Sequence, residues 1–186
     1  MRAFLTTIGE KTTGICREQL ERFGFEVVML DKKEPWFDKY KKFIMTANED
    51  CLRIDADVIV NKNIERVRTS PFTDFQGKKY LMVEFNGWNF YKNDLGVIGC
   101  TFYSAECLEI LRKNIDKIQE ARPETSAWRM GLIVSRTLNS DIAVGIHGIG
   151  QDLETFKRAM ENKVARGQID KYDFNLANKI TKLCAS

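Results

Sequence analysis

The sequence predicts an α/β fold, a single domain with a mostly parallel central sheet flanked by helices. Three observations predict it. Apolar strand patterns alternate with helix-period patterns along most of the 186 residues, as in a sheet covered by helices. The length suits one domain at about 150 residues per domain. A hydrophobic content of 44% supports a core without disulfide or metal staples.

The elements follow in order. Residues 2–8 make a short apolar strand. Thr12 or Thr13 can cap a helix that turns Ile15, Cys16, Leu20 and Phe23 inward, and Gly24 stops it. FEVVML at 25–30 is a β-branched strand ending at Asp31. After Pro35, KYKKFIMTA forms a short helix, with Trp36 and Phe37 as core anchors and the lysines of 32–42 on a solvated face. CLRIDADVIV at 51–60, YLMVEF at 80–85 and GVIGCTFY at 96–103 are further strands. Between the last two, NGWNFYKNDL is the least regular stretch, a candidate mobile loop. Its Trp88, Phe90 and Tyr91 serve either to stack on a ring or to pack the loop down.

Ser104 caps a helix with Leu108, Leu111, Ile115 and Ile118 on one stripe. Thr125 opens another, with Trp128, Leu132 and Leu138 on one face and Ser135 as a polar break. DIAVGIH at 141–147 is a late strand, followed by a helix that Asp152 can cap. A weak helix at 173–183 closes the chain, so residues 1–166 read as the domain and 167–186 as a helical tail packed on or extending from it.

Charge and cysteines narrow the class. A net charge of +3 falls short of the strongly basic signature of nucleic-acid binders, so no nucleic acid is expected. No apolar run approaches the about 18 residues that span a bilayer, and the amino terminus lacks the pattern of a signal peptide. The five cysteines, at 16, 51, 100, 107 and 184, show no zinc-type or redox spacing. Reduced core thiols and a cytoplasmic location follow as expectations. With His147 as the single histidine, mechanisms needing two are excluded.

In open α/β sheets, ligands bind beyond the carboxyl ends of the strands. Thr6, Thr7 and Glu10 follow the first strand, Asp31 the second and His147 the late one. Asp55 and Asp57 lie within the apolar 51–60 run, where an unpaired carboxylate costs several kcal/mol. Two residues apart on a strand, they converge on one side. Hard cations such as Mg2+ or Mn2+ take carboxylate and phosphate oxygens together. The pair therefore suits a metal held against a diphosphate, although a solvated strand end would also produce such a triplet.

CLRIDADVIVNKNI resembles the Asp-X-Asp segment of GT-A glycosyltransferases, the nucleotide-diphospho-sugar transferases of Rossmann-related fold. The resemblance extends over roughly residues 1–160. TTIGEK resembles the loop that embraces the nucleotide, GVIGCTFYSAECLEIL the strand and helix beside the donor sugar, and HGIGQD the late histidine segment. It implies Asp55, Asp57 and His147 as metal ligands, with Mn2+ or Mg2+ as the ion. Thr6, Thr7, Glu10, Asp31 and Asp55 would bind the nucleotide-sugar donor. It also implies a catalytic base at Glu124, where Thr125 replaces a second acid, or at Asp152. Each has a plainer role, Glu124 beside a helix dipole and Asp152 as a cap.

The function so implied is metal-dependent transfer of a sugar from a nucleotide-diphospho-sugar to a hydroxyl acceptor on a glycan, lipid or protein. The alternative is a non-catalytic nucleotide-sugar-binding or protein-interaction module on a degenerate GT-A fold. A nucleotidyltransferase is disfavoured because no glycine-rich basic loop follows the first strand. The length implies a near-minimal donor-binding unit, with little chain for acceptor recognition.

Overall fold

The computed structural model describes residues 1–30, 34–69, 80–90, 94–118, 123–132, 135–137 and 143–148. Asp31, Tyr91, Leu138, Asp152, Cys184, the last two expected helices and the 167–186 tail lie outside the described residues.

The chain opens with β1 (Arg2–Thr6), α1 (Thr13–Arg22), β2 (Glu26–Leu30) and α2 (Trp36–Thr46). The expected 51–60 strand is two pieces, β3 (Cys51–Asp55) and β4 (Val58–Val60), with a turn at Ala56 and Asp57 between them. A 3-10 turn, Lys62–Glu65, leads into α3 (Arg66–Thr69). Then come β5 (Met82–Asn89), β6 (Asp94–Tyr103), α4 (Ala105–Lys113) and α5 (Pro123–Arg129). The last described elements are β7 (Ser135–Thr137) and β8 (Gly145–His147).

These strands form one eight-stranded sheet in the order β2-β1-β3-β6-β5-β8-β4, with β7 also pairing with β5. β1 runs parallel to both β2 and β3, and β5 parallel to both β7 and β8. β6 is antiparallel to β3 and β5, and β4 to β8. The α/β class with a mixed, helix-flanked sheet therefore holds, and parallel pairings outnumber antiparallel ones.

Strand alternation sends side chains to two separate cores. Ala3, Leu5, Leu52 and Ile54 pack with Cys16 and Leu20 of α1. Phe4 and Cys51 face the other way, with Tyr40 and Phe43 of α2, Tyr103 of β6 and Leu108 of α4. Phe43 sits edge-on to both Phe4 and Tyr103, at centroid distances of 5.1 and 5.0 Å. Offset or edge-to-face ring pairs of this kind add stability beyond their buried area.

Several local expectations change. Ile15 of α1 is 48% exposed, so only Cys16 and Leu20 anchor that helix. Thr12 spends its hydroxyl on Ala56 O, at 2.9 Å, rather than on a helix cap. Residues 86–89 and 94–95, expected in an irregular loop, belong to strands instead, because β5 and β6 pair as far as Asn89 and Asp94. The helix expected from Thr125 through Leu138 starts earlier, at Pro123, so Thr125 lies inside it. It stops at Arg129 with Trp128 exposed rather than inward, and Gly131, at φ +67°, follows in the left-handed region that favours glycine. Residues 135–137 pair in parallel with β5 instead. Ser104 does cap α4, its Oγ accepting from Cys107 N at 3.1 Å. The helix ends at Lys113, however, and Ile115 and Ile118, expected on its stripe, lie in and just after a separate 3-10 turn, Ile115–Lys117.

Candidate functional site

The turn between β3 and β4 is pinned on every side. Ala56 N donates to Thr6 O and Gly148 N to Asp57 O, each at 2.9 Å, while Thr12 holds Ala56 O. β1 and β3 align Thr6 with Asp55. Asp55 thus ends a strand and Asp57 stands in a turn, rather than both lying within one strand. Strand alternation does not bring the two carboxylates together; the turn does.

Each carboxylate has its own partner. Asp57 Oδ2 lies 3.0 Å from His147 Nε2, on β8 beside β4, and the two side chains are 14% and 15% exposed. Among the described residues, His147 Nδ1 and Thr6 Oγ1 are buried without partners. Asp55 Oδ1 accepts from Arg53 Nη1 at 3.0 Å, and its side chain is 34% exposed. Burial raises the Asp55 carboxyl above its ordinary value; Arg53 opposes this and Asp57 reinforces it.

A glycine makes room for Asp55. The β3–β6 ladder ends at Ile54 opposite Cys100, so Gly99 comes next, where the β5–β6 register also shifts. Gly99 has φ +58°, and a Cβ there would stand 2.2 Å from Asp55 Oδ2. Both the conformation and the contact require glycine.

The loop after β1 is largely occupied with itself. Glu10 Oε2 accepts from Thr7 Oγ1 at 2.7 Å and from Ile8 N at 2.8 Å. Thr7 Oγ1 in turn accepts from Gly9 N at 2.9 Å. Lys39 of α2, fully buried, donates to Thr7 O at 2.7 Å. Thr7 and Glu10 shape this loop, so any ligand must meet it as a preformed wall.

Electrostatically the end of the sheet is acidic. The Cys16 thiol is pushed up to about 12 by burial and then by the charges of Asp57, Asp55 and Glu10. All three carboxylates therefore act on one point under the turn. Those charges make a thiolate costly at that point, and the same region holds the cations of Arg53 and Lys39.

Sequence reasoning did not single out Arg53, Tyr103 or Gly99. Arg53 is buried and forks between two carboxylates, with Nη2 3.4 Å from Glu124 Oε1. Tyr103 OH donates to the same Glu124 oxygen at 2.6 Å. Burial works against the Arg53 charge, but Tyr103, Asp55 and Glu124 outweigh it and hold the guanidinium well above its ordinary value. The signal for Arg53 was present in the sequence: a cation in an apolar strand, two residues before Asp55 and on the same face.

Asp57 and His147 fit a divalent cation as two ligands whose facing atoms are already 3.0 Å apart. Among the described residues, no group of three or more His, Cys, Asp or Glu could hold one unaided. Mg2+ and Mn2+ commonly take one or two protein ligands and complete their shell with substrate phosphate and water. The donor set present suits that mode.

No family model matches the sequence, and no curated protein matches it. Solved structures do. A glycosyltransferase involved in the glycosylation of the major capsid of PBCV-1 superposes with a TM-score of 0.53 at 16% identity, covering 84% of this chain and 98% of its own. The fold is GT-A-like. A hypothetical transferase from Thermus thermophilus gives a TM-score of 0.49 at 9% identity, covering 80% of this chain and 98% of its own. A CMP:2-keto-3-deoxy-manno-octonic acid synthetase complexed with CTP gives 0.48 at 10% identity, covering 87% and 98%. These likenesses concern the fold.

Proposed function

We propose that the protein binds a nucleotide-diphospho-sugar together with Mn2+ or Mg2+ and transfers the sugar to a hydroxyl acceptor. One observation carries this reading: a rigid turn at the carboxyl end of the sheet presents Asp55 and Asp57, with His147 3.0 Å from Asp57. The GT-A-like fold shared with a glycosyltransferase supports it.

In this reading Asp57 and His147 hold the cation, and Asp55 orients the donor from the strand end. A divalent cation there supplies Lewis-acid stabilisation of the negative charge that the departing diphosphate gains. Thr6 Oγ1, lacking a partner, offers a hydroxyl to the donor beside Asp55. Thr7 and Glu10 act by holding the loop that bounds the donor, and Asp31 and Asp152 remain proposed as donor contact and alternative base. Glu124 is the proposed base. It takes both of its recorded contacts on Oε1, and a proton from the acceptor goes to its other oxygen.

That same engagement of Glu124 by Arg53 and Tyr103 favours a second reading, a nucleotide-sugar-binding module that transfers nothing. Incubation with UDP- and GDP-sugars and Mn2+, without acceptor, separates the two. The enzyme reading expects slow release of free nucleoside diphosphate, lost in Asp57→Ala. Binding without release at any enzyme concentration contradicts transfer and leaves the binding module.

A further inference from the structure

Among the described residues, Arg53 is the side chain that touches both Asp55 and Glu124. It reaches Asp55 from within the same strand and Glu124 across 71 residues of chain. Its two contacts are unequal: 3.0 Å to Asp55 and 3.4 Å to Glu124. The guanidinium is 9% exposed as a side chain, and its Nε is buried without a partner among the described residues. A buried cation must keep its counter-charges, because water does not replace them. Only the planar fork of arginine spans two carboxylates in this way, since an ammonium is a point charge on a flexible stem.

The two carboxylates lie on different elements, Asp55 at the end of β3 and Glu124 in the first turn of α5. Any event that withdraws the Asp55 charge from Arg53 leaves Glu124 as the remaining counter-ion. The longer contact then carries the guanidinium, and it shortens. Tyr103 OH donates to that same Glu124 oxygen, so the carboxylate stays tied to β6 as well.

We propose that Arg53 is a positioning residue that couples the donor side of the site to α5. Donor binding against Asp55, with its cation on Asp57 and His147, draws Glu124 and the start of α5 against the sheet. The inference rests on the proposed donor site at Asp55. It extends that reading by giving the site a means of reporting donor occupancy to the carboxylate proposed to act on the acceptor. Coupling of this kind readies the acceptor-side carboxylate only once the donor is bound.

Hydrogen exchange of the peptide covering 123–129, measured with and without Mn2+ plus UDP or GDP, tests it. Binding itself is followed separately by calorimetry on the same samples. In the unmodified protein, nucleotide with Mn2+ slows exchange in this peptide about fivefold, the effect of one strengthened charge-assisted hydrogen bond. Arg53→Lys keeps the charge but loses the fork, so it still binds nucleotide while the exchange of α5 no longer responds. Glu124→Gln, which preserves shape and serves if Arg53→Lys fails to melt cooperatively, abolishes the response in the same way.

Protection of α5 that changes equally in the variants overturns the inference, because another route or direct ligand contact then produces it. Binding by the unmodified protein with no change at α5 overturns it as well. Failure of the unmodified protein to bind Mn2+ with either nucleotide overturns the donor-site reading first, and this inference with it.

Discussion

Gly99 shows how a single missing side chain builds a site. Its φ of +58° is a conformation that side-chain-bearing residues adopt at a cost, and Asp55 Oδ2 occupies the place of its Cβ. Gly99→Ala therefore strains the backbone and displaces the carboxylate at once. The expected loss is about 1–3 kcal/mol in chemical denaturation, together with loss of Mn2+-dependent nucleotide binding. Unchanged stability with unchanged binding would remove Gly99 from the account. At this scale the sequence was partly legible. Asp55 and Asp57 stand out because a buried strand tolerates charge poorly, and Arg53 carries the same signal. The need for glycine at 99 was not legible, because it depends on what β3 places opposite β6.

Among the elements, α4 is the one whose sequence logic is most complete. Ser104 caps it through Cys107 N, Glu106 lies in its first turn, Arg112 and Lys113 in its last, and Cys107, Leu108 and Leu111 are buried. Ser104 itself is fully buried, so its hydroxyl satisfies a helix donor that water does not reach. Ser104→Ala is expected to cost about 1 kcal/mol, which for a chain of this size is roughly 2–4 °C in Tm. Nucleotide binding stays intact, since the cap lies outside the proposed donor contacts. A loss of binding greater than the loss of stability would contradict that separation. Elements with local causes, such as α4 and β1, were legible from periodicity and caps. The split of 51–60 and the strand at 135–137 were not. The first follows from hydrogen bonds to Thr6, Thr12 and Gly148, far away in sequence. The second follows from a parallel pairing with β5.

At the scale of the whole molecule, the chain combines a well-buried core with an acidic end of the sheet, and the cysteines record both. Burial pushes the Cys16 and Cys51 thiols from 9.0 up to about 12, and Cys100 and Cys107 are raised further. The unfolded chain therefore releases these protons first. The thiol contribution to stability is complete below pH 9.0 and falls away as the pH rises toward about 12. Urea melts between about pH 8 and about pH 10.5 should show falling stability, at up to about 1.4 kcal/mol per thiol per pH unit. A flat profile would show that the thiols ionise as freely folded as unfolded. Among the described residues, no helix is long and apolar enough to cross a membrane.

In the proposed function, Asp57, with His147 beside it, gives this GT-A-like fold a cation-dependent nucleotide site. Thermal unfolding with UDP or GDP, with and without Mn2+, in the unmodified protein and in Asp57→Ala, tests it most directly. Ligand at about one hundred times its Kd stabilises the folded state by about 2.7 kcal/mol, which is roughly 5–10 °C for a chain of this size. That shift is expected only with Mn2+ and nucleotide together, and it is lost in Asp57→Ala. A shift that persists in Asp57→Ala, or no shift with any nucleotide while the protein unfolds cooperatively, would contradict it.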